Sequence, residues 1–257
     1  MQISSFAALG DSFTEGLDDS RADQGGYLGW ADRFAGMLAA QQPGLRYANL
    51  AIRGKRLGQV ADDQVPQAIA MAPDLVSIAA GGNDLLRFRS DPDALAQTFD
   101  DVVRTLQMAG CRVLIFTGFD PRFPVLRLIR GKVAAYNMHL RAIADRHGCD
   151  VVDLWSMAVL RDPRAWSADR LHLTPDGHRR VALRACEVVG VEVAEDWREP
   201  WPTLDSPSAS GRAAWLAARR MDLRWGRDHA APWVARRVRG TSSGDNVTPK
   251  RPELLPL

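Results

Sequence analysis

Lysine is nearly missing from this chain. Its 257 residues hold Lys55, Lys132 and Lys250, and arginine carries almost all the other positive charge. With 33 Lys and Arg against 31 Asp and Glu, the formal net charge is +2, and the basic residues are scattered rather than striped. That leaves no electrostatic footprint for nucleic acid. Cysteine is scarce as well. Cys111, Cys149 and Cys186 stand far apart, without a CxxC or a Cys/His cluster, which excludes a zinc motif and a disulfide framework. Free thiols in such apolar or helical settings pack as small hydrophobes. No apolar run approaches the roughly 20 residues that a membrane-spanning helix needs. The stretch "MQISSFAALGDS" has neither a basic n-region nor a long apolar core, so no signal peptide is expected. The expectation is a cytoplasmic protein with no membrane span.

What is present reads as an ordinary globular chain, with 46% hydrophobic and 25% charged residues. Five short apolar runs, "ISSFAAL" (3–9), "RYANLAI" (46–52), "DLVSIAA" (74–80), "RVLIFTG" (112–118) and "CDVVDL" (149–154), predict strands mostly buried on both faces. Helical patterns lie between them. Trp30, Phe34, Met37 and Leu38 form one apolar face; Leu95, Phe99, Val102 and Leu106 form another, entered through Asp91 as N-cap and Pro92. A third helix is expected over about 125–147, and a fourth begins at Thr174 and Pro175 and buries Val181, Ala185, Val188 and Val189. Alternating strands and helices imply a parallel sheet with helices on both faces, whose ligands bind beyond the carboxyl ends of the strands.

The pattern defines a main domain over 1–194 and an extension over 195–257. The extension is rich in tryptophan and arginine and closes in the polar tail "RGTSSGDNVTPKRPELLPL". Trp215, Leu216, Met221 and Trp225 are expected to form the apolar face of a helix packed on the main domain. A lid, or a homo-oligomer interface formed by the extension, is the competing reading.

"FAALGDSFTEG" ends the first strand on Asp11 and Ser12, at the edge where such a sheet keeps its site. A serine hydroxyl becomes a nucleophile only with a histidine to take its proton and a carboxylate to fix the imidazole. His139 and His147 fall on the third helix and are expected to be exposed. His178 reads as a surface residue near a helix cap, and His229 has no clear context. His172 lies in the loop "SADRLHLTPDGH" with Asp169 three positions earlier, close enough to turn back onto its ring. Donors for an oxyanion are offered by Gly54 in "NLAIRGKR" and Asn83 in "AAGGNDLLR", both after predicted strands. Asp11 and Asp84 read as braces of their turns. "GTSSG" (240–244) matches a nucleophile-elbow pattern but has no strand before it and no histidine after it, so it reads as a loop.

The set "GDSFTEG", "NLAIRG", "GGND" and "DRLH", spanning 10–172, resembles in order and spacing the SGNH hydrolases, the GDSL-type esterase and lipase superfamily. The resemblance implies an α/β fold, a flavodoxin-like three-layer α/β/α sandwich around a central parallel sheet. It implies Ser12 as nucleophile, Asp169 and His172 as its partners, and an oxyanion hole made by the Ser12 and Gly54 N–H groups with the Asn83 amide. The expected reaction is hydrolysis of small-molecule carboxylic esters through an acyl-enzyme, without metal or cofactor. The lack of a long apolar lid segment favours short acyl groups such as acetyl. An acyltransferase with the same residues, and a non-catalytic ligand-binding member of the fold, are the alternatives.

Overall fold

The computed structural model describes residues 3–21, 25–123, 126–203, 212–232, 235, 239 and 241–257. Five strands run parallel: β1 (Ser5–Gly10), β2 (Arg46–Asn49), β3 (Leu75–Ala79), β4 (Arg112–Phe116) and β5 (Asp150–Val152). A sixth, β6 (Arg251–Pro256), pairs antiparallel with β2, giving the order β5-β4-β3-β1-β2-β6. Four of the five parallel strands fall within their apolar runs, and β1 continues one residue beyond its run, to Gly10. The sixth lies in what the sequence presents as a polar tail, and it caps an edge that would otherwise offer unpaired backbone groups.

All six residues of β1 are buried, and their side chains alternate between two cores. Phe6 and Ala8 join the core covered by α2 (Gly29–Gln41) and α8 (Pro175–Val189). Ala7 and Leu9 join the core covered by the helical stretch at 57–71, by α6 (Pro92–Met108) and by α7 (Arg130–His147). Burial on both faces is what turns these strands into continuous apolar runs. The helix faces fall as their periodicity predicts. Trp30, Phe34 and Leu38 are fully buried, as are Phe99 and Leu106. Asp91 accepts a bond from the Asp93 N–H at the start of α6, and Thr174 one from the Gly177 N–H at the start of α8, each satisfying an otherwise unpaired donor.

Two histidine expectations fail. His178 is 1% exposed: it shares the α8 face of Val181 and Ala185, which packs on α2. Its Nδ1 accepts the Trp30 N–H at 3.2 Å and its Nε2 donates to Leu17 O at 3.2 Å. His147 is only half-buried, paired with Asp100 on α6, whereas the His139 side chain is exposed as expected and pairs with Asp93.

The helix α9 (Arg212–Trp225) also departs from expectation. Met221 is 64% exposed, so it does not belong to a packed apolar face; Trp225 is half-buried. The side chains of Trp215 and Leu216 lie outside the described residues. So does the side chain of His229.

The parallel order, with β2 on one side of β1 and β3, β4 and β5 on the other, reverses direction at β1 and β3. The crevice of such a sheet opens at the carboxyl ends of those two strands.

Candidate active site

Ser12 is the first residue of a four-residue helix, α1 (Ser12–Glu15), directly beyond β1. The turn that presents it depends on Gly10, whose φ is +149°. A Cβ there would lie 2.4 Å from Ala79 O and 2.8 Å from Thr14 Oγ1, so no other residue fits without displacing backbone. Gln64, 1% exposed, clamps this glycine from both sides. Its Oε1 accepts the Gly10 N–H at 2.8 Å and its Nε2 donates to Gly10 O at 2.9 Å. Gln64 closes a π-helical turn, Val60–Gln64, an irregularity often found at functional sites. Nothing in the sequence singles it out, because its partner lies 54 positions away.

Asp169, His172 and Ser12 form one hydrogen-bonded chain. His172 Nδ1–H donates to Asp169 Oδ2 at 2.5 Å, and the Ser12 hydroxyl donates to His172 Nε2 at 2.9 Å. The other Asp169 oxygen accepts the N–H groups of Leu171 and His172 and the Ser167 hydroxyl. Burial pushes the Asp169 carboxyl up, but the His172 bond and charge with these further donors outweigh it, and the group is held far below the ordinary carboxylate range. Burial likewise pushes His172 down, yet the bond and charge of Asp169, with the charges of Asp18 and Asp11, leave it above its usual 6.5.

The loop carrying this pair is tied down from outside. Arg170 takes a left-handed backbone, φ 60°, and its guanidinium bonds Asp222 at 2.8 Å while lying over the rings of Phe123 and Trp225. The Trp225 indole N–H donates to Asp169 O at 2.7 Å. Helix α9 therefore braces the loop, a role that its sequence pattern hides.

Asn83, in the short helix α5 (Gly82–Leu85) beyond β3, donates both Nδ2 protons: one to Asp11 Oδ2 at 2.9 Å and one to Lys55 O at 2.9 Å. Asp11 also accepts the Phe13 N–H at 3.1 Å. Burial raises Asp11 from 3.8 to about 6, against its hydrogen bonds and the nearby His172. Asp84 accepts the Leu57 N–H at 2.9 Å and joins α5 to the loop after β2.

Ser12, Asn83 and His172 line a single cavity, together with Asp11. Gly54 is not among its lining residues; the chain connects it to Asn83 through the next carbonyl, that of Lys55. At Gly54 φ is +74°, and a Cβ would come within 2.2 Å of Ser242 Oγ. Residues 241–244 of the "GTSSG" stretch form a loop, and its serines back the Gly54 turn. Lys250, further along, is nearly enclosed. Its ammonium contacts Glu15 O at 2.7 Å, Leu28 O at 2.8 Å and Asp32 Oδ1 at 2.8 Å. Among the described residues one trio of ligand-type side chains converges, Asp18, Asp169 and His172. Their atoms are already engaged: Ser167 Oγ bridges the two carboxylates and His172 spends its nitrogens on Asp169 and Ser12.

The model of the GDSL-like lipase/acylhydrolase family matches residues 8–180, about two thirds of the chain. The chain belongs to this family. It is accordingly a carboxylic ester hydrolase, and the expected α/β architecture is the observed one. Solved structures agree on the fold of this esterase. The acetylxylan esterase Axe2 from Geobacillus stearothermophilus superposes with TM-score 0.64 at 23% identity, covering 77% of this chain and 99% of its own. LAE5, an alpha/beta hydrolase from the Lake Arreo metagenome, gives 0.63 at 22%, covering 73% and 95%. The psychrotrophic esterase EstA from a Pseudoalteromonas species gives 0.59 at 15%, covering 73% and 97%. Comparison with curated proteins finds no match. Among the described residues no helix is long and apolar enough to cross a membrane.

Proposed function

We propose that the esterase works through an acyl-enzyme on Ser12. The observation that carries this reading is the unbroken hydrogen-bonded chain Asp169–His172–Ser12 at the wall of one cavity. His172 Nε2 accepts the hydroxyl proton as Ser12 Oγ attacks the ester carbonyl carbon. Asp169, a carboxylate throughout, stabilises the imidazolium through Nδ1–H. The tetrahedral intermediate collapses as its bond to the alcohol oxygen breaks and His172 protonates that oxygen. Water then takes the place of the alcohol, gives its proton to His172 and attacks the acyl carbon, and Ser12 leaves as the free hydroxyl with the proton returned.

The oxyanion is assigned to the Ser12 and Gly54 N–H groups and the Asn83 amide. For Asn83 this means redirecting one Nδ2 proton from Asp11 or Lys55 O to the substrate. The bonds from Asp11 and Lys55 orient the amide beside Ser12 before substrate arrives.

A cytoplasmic setting belongs to the same proposal. Burial pushes the thiols of Cys149 and Cys186 up to about 11 and about 12, which keeps them protonated and suits free, packed cysteines.

The experiment is labelling by a fluorophosphonate probe together with p-nitrophenyl ester turnover, for the native chain and Ser12→Ala. The native protein is expected to label at Ser12 and turn over, and the variant to do neither while keeping its circular dichroism. Full activity in Ser12→Ala would end the mechanism.

A further inference from the structure

We propose that the cavity beside Ser12 is an acyl site for a chain of about six carbons, so that medium-chain acyl esters, rather than acetates, are the preferred substrates. The inference rests on the acyl-enzyme reading and replaces the short-acyl expectation drawn from the sequence.

The cavity measures about 150 Å³. A dry apolar cavity of about that size takes a benzene-sized molecule, the bulk of about six carbons. Its walls are apolar: Phe116, Leu126, Ile129, Val133, Leu140 and Leu154 all face it. Its charged and free polar groups gather together, since Ser12 bonds His172, Asp11 bonds Asn83, and Asp11 precedes Ser12 in the chain.

The remaining hydrogen-bonding side chains of the lining are spent elsewhere, Trp166 Nε1–H among them, donating to Leu160 O at 2.7 Å. Thr117 Oγ1–H donates to Asp153 at 2.9 Å and Tyr136 OH donates to Ala80 O at 3.3 Å. A sugar placed there would lose hydrogen bonds to water and find few in return, a cost of about 1–3 kcal/mol for each stranded hydroxyl. A hydrocarbon chain loses nothing. Two of the segments that line the cavity also carry exposed apolar side chains: Phe88, 95% exposed, lies two positions after Leu86, and Leu128, 85% exposed, sits between Leu126 and Ile129. Lys132 Nζ, donating to Phe88 O at 2.9 Å, ties the first segment to α7. An ester with an apolar tail has a compatible approach as well as a compatible site.

The acyl half, not the alcohol, is assigned to the cavity because of what must happen after the first step. The alcohol has to leave His172 Nε2 and be replaced there by water. Dry walls suit the group that stays bonded to Ser12 and hinder one that must exchange with solvent.

The test is kcat/KM of the purified full chain on p-nitrophenyl acetate, butyrate, hexanoate, octanoate and dodecanoate, run beside fluorophosphonate labelling of Ser12. A rise of about fourfold per methylene is expected up to hexanoate, with no further gain at dodecanoate. Ile129→Trp and, from a separate segment of the lining, Leu86→Trp should each cut the hexanoate-to-acetate ratio at least tenfold; both positions are half-buried, so the fold tolerates the larger ring. The isomers ethyl hexanoate and hexyl acetate decide orientation, and the first should be cleaved faster. Labelled Ser12 with acetate preferred, or with hexyl acetate preferred, overturns the acyl site and leaves the serine mechanism standing. An unlabelled Ser12 overturns that mechanism and this inference with it.

Discussion

Mild acid is expected to weaken this fold through one imidazole. His178 lies between α2 and α8, accepting the Trp30 N–H and donating to Leu17 O just past the nucleophile helix. Burial pushes it from 6.5 down to about 4. The unfolded chain therefore binds the proton first as pH falls. The stability gained by keeping His178 neutral is complete above its unfolded value and is lost as pH drops toward the folded one. Between about pH 7.5 and about pH 5 the unfolded ring gains roughly one and a half decades of proton binding over the native ring, which is worth about 2 kcal/mol. The assay is urea unfolding at both pH values for the native chain and for His178→Gln. Other groups titrate in both proteins and cancel in the comparison, so the native chain should lose about 2 kcal/mol more than the variant. Equal losses would refute the reasoning, as would a His178 ring proton resonance that titrates in the native protein near its ordinary value.

Other outcomes follow from the site. Asn83→Ala should lower kcat on short esters by about 10²–10³ while leaving Ser12 open to labelling, because in the proposed mechanism it removes an oxyanion donor and not the nucleophile. Activity needs neutral His172, so the acid limb of kcat/KM should lie above 6.5, and Asp11→Asn, by removing a negative charge that favours the imidazolium, should move that limb down. Lys250→Met leaves the buried Asp32 carboxylate without one of its cations and should cost about 3 kcal/mol in urea unfolding; a change below about 1 kcal/mol would show that the contact is spent on solvent.

The sheet was legible because its strands are buried on both faces, which writes each as an unbroken apolar run. The four motifs were legible because their glycines, hydroxyl, amide and Asp/His pair interrupt the apolar pattern just beyond β1, β2 and β3 and in the loop before α8. What the sequence concealed comes from contacts between distant segments. His178 looked like a surface residue among Asp176, Arg179 and Arg180, although its spacing to Val181 and Ala185 placed it on the buried face. Gln64 has meaning only through Gly10, and Trp225 only through Asp169. The cavity draws its walls from the ends of β3 and β4 and from helical and loop segments scattered between residues 11 and 172, so no window of sequence contains it. Four of the six residues of β6 are proline or charged, and pairing with the flank of β2 makes it a strand.

That late strand has a consequence for how the molecule is made. Arg251 bonds Tyr47 O across 204 positions, so the flank of β2 stays bare until residues 251–256 have been made, and Asp32 waits about as long for Lys250. A chain lacking residues 250–256 would keep Ser12, His172 and Asp169, yet leave the flank of β2 open and Asp32 of α2 with Arg21 as its one remaining cation among the described contacts. Such a product should reach the aggregate before it reaches a substrate.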